Sequence, residues 1–198
     1  DFVDRQTQEA LRQVRSLSRL IEGQIRDIEY LGAMREPPSR TYIFSGERRQ
    51  RVGPRGEYAA NLLTMDYFRG GRKSLEIAEK VTDWMEKAGI GSDIEPELVS
   101  DRYYEIKIQH PVTREYQNLA DVGRGNSQVL PVLVGGYNLS AGSTYIVEEP
   151  EIHLHPRAQS ELGTFLHELY QRDVQSIIET HSEHLVVRLQ QLVASGQI

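Results

Sequence analysis

The chain has 198 residues, 38% hydrophobic and 26% charged, which suits a folded globular chain and excludes an intrinsically disordered one. Its net charge of -6 argues against a globally basic nucleic-acid binder, and the absence of cysteine excludes disulfides and thiolate metal sites. No apolar run approaches the roughly 20 residues of a membrane span and no secretory leader opens the chain, so a cytoplasmic protein without a membrane partner is expected.

Residues 2–29 read as one long helix. Leu11, Val14, Ser18, Ile21, Ile25 and Ile28 fall three and four apart, a heptad-like stripe with one polar breach, and Arg12, Arg15, Arg19, Glu22 and Arg26 lie off it. The helix either packs on its own domain or forms one arm of a helical hairpin or short coiled coil, so 1–30 is set apart from 31–198. Asp1 opens the helical pattern without a Met or a cap, and Ile198 closes just after an amphipathic helix, so a segment of a larger chain is expected.

The stretch 30–63 reads as irregular, broken by Pro37-Pro38, Gly46, Gly53-Pro54 and Gly56. It gathers Arg35, Arg40, Arg48, Arg49, Arg51 and Arg55 against Glu36, Glu47 and Glu57. Guanidinium forks suit phosphate. The segment 35–55 is therefore either a solvated loop or a phosphate or DNA contact. From Tyr58 to Lys87 the pattern is helical, with Leu62, Leu63, Ile77, Val81 and Trp84 as core. Tyr103 to Ile108 alternates like a strand, with Tyr104, Ile106 and Ile108 on one side, and Pro111 ends it. Residues 119–139 form a glycine-punctuated turn and an apolar helix. A strand at 143–148, a helix at 157–171, a strand at 174–180 and a helix at 182–194 make an α/β unit with parallel strands.

Ligands of parallel α/β sheets bind at the carboxyl ends of the strands. Glu148 and Glu149 end the apolar run Tyr145-Ile146-Val147. Adjacent strand residues point to opposite sides, so the two carboxylates should serve different partners. One can hold hydrated Mg²⁺, and the other can orient or deprotonate a water. The next strand ends in Glu179-Thr180-His181, which places His181 at the same sheet edge. An imidazole there can bond a phosphate or the attacking water. Gly123 and Gly125 precede Ser127, a candidate N-cap, and the apolar helix. That arrangement permits close approach of an anion to free N–H groups. Pro131 falls near the first turn or breaks the helix. His153 and His155 invite a zinc reading, with His181 and His184 nearby, but neither cysteine nor an HExxH pattern accompanies them.

The stretches 121-DVGRGNSQVLPVL-133, 144-TYIVEEPEIHLHP-156 and 177-IIETHSEHL-185, in this order and spacing, resemble the second half of an ABC-type ATPase head of the SMC/RecF/OLD-like branch. Bacterial AAA-type ATPases of that branch include members of anti-phage defence systems. A looser likeness runs from 28 to 65, including 30-YLGAMREPPSRTY-42. The resemblance implies an α/β fold: part of a P-loop NTPase head with parallel strands, a long N-terminal helix and a helical signature subdomain. Residues 31–198 would hold the signature (119–139), the Walker B strand and D-loop (143–157) and the switch histidine (174–185).

The cofactors implied are ATP and Mg²⁺. Glu149 would be the base that positions water, Glu148 the Mg²⁺-side acid, and His181 the switch histidine on the γ-phosphate. Gly123, Gly125, Asn126, Ser127 and Gln128 would face ATP bound on a second subunit, and His155 and Pro156 would sit at the interface of an ATP-sandwich homodimer. An effector protein or a nuclease is an implied partner. Two alternatives stay open: a degenerate, non-hydrolysing head that docks a partner, and the ATPase part of an OLD-like nuclease. The chain departs from the pattern in three places. Glu148 replaces the usual Asp, and Gly123 stands where a phosphate-contacting Ser is common. No GxxxxGK[ST] loop occurs in residues 1–198. Family order would put that loop before Asp1, and this chain alone would then not hydrolyse ATP.

Overall fold

The computed structural model describes residues 2–26, 28–44, 46–47, 49–65, 67–68 and 72–198, with the backbone alone for 2–6, 20, 24–26 and 72–74. Asp1, Arg48 and the side chains of Ile25 and Arg26 lie outside the described set. In chain order the elements are α1 (Phe2–Arg26), β1 (Ile28–Leu31), β2 (Tyr42–Ile43), α2 (Ala59–Thr64), α3 (Arg72–Ala88), β3 (Asp93–Ser100), β4 (Tyr103–Gln109), β5 (Tyr116–Asn118), α4 (Arg124–Asn138), β6 (Thr144–Glu148), α5 (Pro156–Gln171), β7 (Gln175–Glu179) and α6 (Glu183–Ala194).

Two sheets share one hydrophobic core. The first is parallel, in the order β1-β6-β7, with Ile28 opposite Thr144 and Glu148 opposite Glu179. The second is antiparallel, in the order β2-β4-β3, with β5 on β4. Period-2 alternation gives the parallel sheet one buried face, built from Glu29, Leu31, Tyr145 and Val147. On the opposite face Ile28, Tyr30 and Ile177 are exposed. The buried face meets α4, where the Tyr145 hydroxyl donates to the Val132 carbonyl at 2.9 Å. Trp84 of α3 ties the antiparallel half to α5 by donating to the Glu161 carbonyl at 3.0 Å. In α1, Leu11, Val14 and Ile21 are exposed. No helix among the described residues is long and apolar enough to cross a membrane.

Four expectations are corrected. The first helix ends at Arg26, and Ile28 starts β1 rather than extending the helical stripe. Pairing with β6 overrides the local pattern there. Residues 93–100 form β3, which the sequence reading did not contain. The N-cap of α4 is Gly123, and Ser127 lies inside the helix, where its hydroxyl donates to the Arg124 carbonyl at 3.0 Å. Pro131 falls well inside α4 without ending it. The helix there is buried and packed, and Gly56 lies so close that a Cβ on it would stand 2.8 Å from the proline Cγ.

Two stability predictions follow from this packing. A Cβ on Gly136 would run into the Phe165 ring and come 2.9 Å from Leu169 Cδ1. Gly136→Ala should therefore cost about 1–3 kcal/mol in urea denaturation, despite the higher helix propensity of Ala. The second concerns Glu29, only 2% exposed in the middle of β1. Burial raises its pKa to about 7, against the opposing pull of Arg51 and of the Val52 and Gly53 N–H groups; Glu57 adds to the rise. The folded state therefore holds a proton that the unfolded chain has released. Stability conferred by that proton is complete below pH 4.5 and is lost as pH rises to about 7, by up to about 3 kcal/mol. Glu29→Gln should flatten this part of the pH–stability curve, so its advantage over the parent in urea midpoint should grow from pH 5 to pH 8.

Candidate active site

The carboxyl ends of β6 and β7 lie side by side because the two strands pair in parallel and in register. Glu148 is the last residue of β6 and sits on the open face of the sheet, where its carboxylate accepts from the Tyr30 hydroxyl at 2.8 Å and the Ala33 N–H at 3.2 Å. The bond to Glu148 most of all, then desolvation and the Glu148 and Glu179 charges, push the Tyr30 hydroxyl pKa upward.

Glu149 leaves the strand with φ +42°, a left-handed conformation uncommon for a residue with a Cβ. Its N–H still extends the ladder to the Glu179 carbonyl at 2.8 Å. The turn at Glu149 carries its carboxylate beyond the strand end, to 3.8 Å from His181 Nε2. The imidazole is 81% exposed and the carboxylate 32%, so both are open to a ligand. The two acids thus serve different partners, and the structure brings Glu148, Glu149 and His181 to one sheet edge.

Of the residues behind this edge, Arg35 and Glu151 were not legible as site residues. Arg35, from the segment read as either a solvated loop or a phosphate contact, is 6% exposed. Its Nη2 donates to the carbonyls of Glu148 and Glu149 at 2.5 and 3.1 Å. Glu151 is also buried, and its Oε1 accepts from the Thr180 hydroxyl and the His181 N–H, each at 2.6 Å. Ser182 caps α6 by accepting from the Leu185 N–H, and its hydroxyl donates to Gln159 Oε1 at 2.7 Å. Gln159 in turn donates to the Leu154 carbonyl. His155 Nδ1 caps α5 by accepting from the Ala158 N–H at 3.4 Å, with Pro156 in the first turn. The local signals for these roles were present: a Ser before an apolar helix, and a His-Pro pair at a helix start.

The glycine segment packs on the same turn. A Cβ on Gly125 would stand 2.8 Å from the His153 carbonyl oxygen, so glycine is what lets α4 approach it. Gly123 is exposed, with no atom near where a Cβ would lie. Asn126 donates to the Ile90 carbonyl at 2.9 Å, and Gln128 is half-buried. Among the described arginines of 35–55, Arg40 grips Asp121, Arg49 pairs with Glu47 and lies over Tyr58, Arg51 faces Glu29, and Arg55 faces Glu36.

Among the described residues no three His, Asp or Glu side chains converge to hold a metal ion, which leaves the zinc reading without a ligand set. Mg²⁺ asks less of the protein. It commonly takes one or two carboxylate oxygens, with phosphate and water completing the shell. Glu148 is partly exposed and each of its oxygens accepts one hydrogen bond, so lone pairs remain free for a hydrated cation. The donor set fits the ion only together with a phosphate ligand.

Solved structures of similar fold include SMC heads. One, an SMC head bound to the C-terminal winged-helix domain of ScpA, matches with a TM-score of 0.50 at 11% identity, over 73% of this chain and 45% of that one. Another, the SMC head of Pyrococcus furiosus with an extended coiled coil, gives a TM-score of 0.47 at 13% identity over 68% of this chain. The chain spans only 36% of that second structure's length. No curated protein matches the sequence. The model of the AAA ATPase domain matches residues 57–186, which include α4, both strand-end acids and His181, and on that match the chain belongs to the AAA ATPase domain family.

Proposed function

We propose that this chain supplies the water-activating and switch elements of an ATP-hydrolysing head that dimerises around nucleotide. The observation that carries the reading is the approach of Glu149 to His181 at the carboxyl edge of a parallel sheet, 3.8 Å apart and both open to solvent. In this reading the Glu149 carboxylate accepts a hydrogen bond from the attacking water and takes its proton as the water oxygen bonds to the γ-phosphorus and the bridging P–O bond breaks, with ADP as the leaving group. His181 presents a ring N–H to a γ-phosphate oxygen and stabilises the charge that develops there. Glu148, on the other side of the strand end, holds the Mg²⁺-side position. Mg²⁺, when bound, neutralises charge on the phosphate oxygens.

The α4 start would meet ATP held by a second copy. Gly123 leaves that surface open. Asn126 and Ser127 already bond within their own chain, so contact there would run through backbone N–H groups, Gly125 and Gln128. Residues 1–198 contain no GxxxxGK[ST], so the complete site takes its phosphate-binding loop from outside them. DNA contact through 35–55 has weaker support, because each described arginine there already faces a carboxylate or carbonyl of its own chain. An effector driven by opening and closing of the dimer remains part of the proposal.

ATP turnover and ATP-dependent dimerisation of the full-length protein test this. Glu149→Gln keeps shape and removes the base, so kcat should fall about 10²- to 10⁴-fold. ATP should still bind, and light scattering should show a nucleotide-bound dimer that outlasts the parent's. Unchanged turnover removes Glu149 as the base. Failure of the full-length parent to bind ATP assigns the chain to a non-hydrolysing docking module instead.

A further inference from the structure

Two buried, oppositely charged side chains stand behind the strand ends, and neither reaches the solvent-facing site. Arg35 uses one nitrogen, Nη2, on the carbonyls of Glu148 and Glu149, and its Nε and Nη1 have no partner. Glu151 uses Oε1 on Thr180 and on the His181 N–H, and its Oε2 has no partner. Unpaired buried charge is costly, so a chain retains it only where something else compensates. Burial pulls the Arg35 pKa down, and Tyr145 and the Glu151, Glu149 and Glu148 carboxylates oppose that pull.

What the pair holds is the backbone of the proposed reacting groups. The left-handed conformation at Glu149 costs about 1 kcal/mol or more and persists only if its surroundings fix it. One guanidinium gripping the peptide oxygens on both sides of that residue supplies such a constraint. On the other strand, His181 follows Glu179 directly after Thr180, and its N–H is tied to Glu151 rather than to a helix or strand. Thr180 Oγ1 also accepts from the Ser182 N–H at 3.0 Å, so the one carboxylate orders three consecutive residues.

We propose that Arg35 and Glu151 are positioning residues: Arg35 sets the Glu148–Glu149 peptides, Glu151 sets the His181 backbone, and together they hold Glu149 and His181 at reacting distance. The proposal rests on the hydrolytic reading of that pair, and its test separates the two.

In the full-length protein, amide hydrogen exchange at His181 and Ser182 is measured beside ATP turnover for Glu151→Ala, Glu151→Gln, Thr180→Val and Arg35→Lys. Glu151→Ala should speed exchange at His181 by about tenfold or more, since a bond to a charged acceptor is lost. Glu151→Gln keeps an acceptor oxygen and should retain most of the protection. Thr180→Val removes no charge and should speed exchange at Ser182, which keeps the test alive if Glu151→Ala does not fold. Arg35→Lys keeps a buried cation but not the planar fork. With Glu151→Ala and Arg35→Lys, kcat should fall about 10- to 100-fold with KM for ATP unchanged. Unchanged exchange at His181 in Glu151→Ala overturns the proposal. So does faster exchange with unchanged kcat, which would leave the pair purely structural. If the parent hydrolyses no ATP, the hydrolytic reading fails, and the exchange arm still decides whether Glu151 sets the His181 backbone.

Discussion

The register of β6 against β7 governs everything at the sheet edge. Glu148 stands opposite Glu179, so the residues that follow each strand emerge together. Because side chains alternate with period 2, a slip of one residue would turn Glu148 into the layer now filled by Tyr145 and Val147. Tyr145 is fully buried and bonded to Val132, and Glu29 already lies buried in that layer, so a second carboxylate there would displace apolar packing. The apolar packing on α4 thereby fixes which acid faces outward and where the chain turns at Glu149. Function at the edge depends on core packing several ångströms behind it.

The second layer of control is polar and partly buried. Gln159 bonds the Leu154 carbonyl and receives the Ser182 hydroxyl, Ser182 caps α6, and Thr180 links Ser182 to Glu151. This chain of bonds ties the turn after β6, the first turns of α5 and α6, and the residues after β7 into one unit. Gly125 joins α4 to the same unit by close approach to His153. α4 is thereby in direct contact with the turn that follows Glu149.

The sequence showed the C-terminal half well because every element there carries its own local signal. β6 ends in acids, α5 begins with His-Pro, α6 begins after Ser182, and the parallel order follows from strand–helix–strand alternation. β1 was hidden because Ile25 and Ile28 continue a helical stripe and because the strand buries Glu29, which looks polar on paper. β3 was hidden by Pro96, which argues against a central strand. It is an edge strand, where a missing N–H is tolerated. Glu148, Glu149 and His181 were legible from position alone, whereas Arg35 was not. An arginine in a loop reads as solvated, and only tertiary structure shows that this one lies beneath two peptide carbonyls.

The split between the two acids constrains what kind of ligand the edge can take. Glu148 lies on the open face beside Tyr30, and Glu149 projects past the strand end toward His181. A compact ion caged by protein alone would need these groups to converge with a third, and among the described residues they do not. An extended anion lying along the carboxyl edge can meet both: its cation partner at Glu148, and its reacting end between Glu149 and His181. A polyphosphate has that shape and charge, and α4 starts at the same edge with an uncovered glycine. In the proposed reading, a nucleotide tail would use the separation of the two adjacent carboxylates, which the left-handed turn at Glu149 creates.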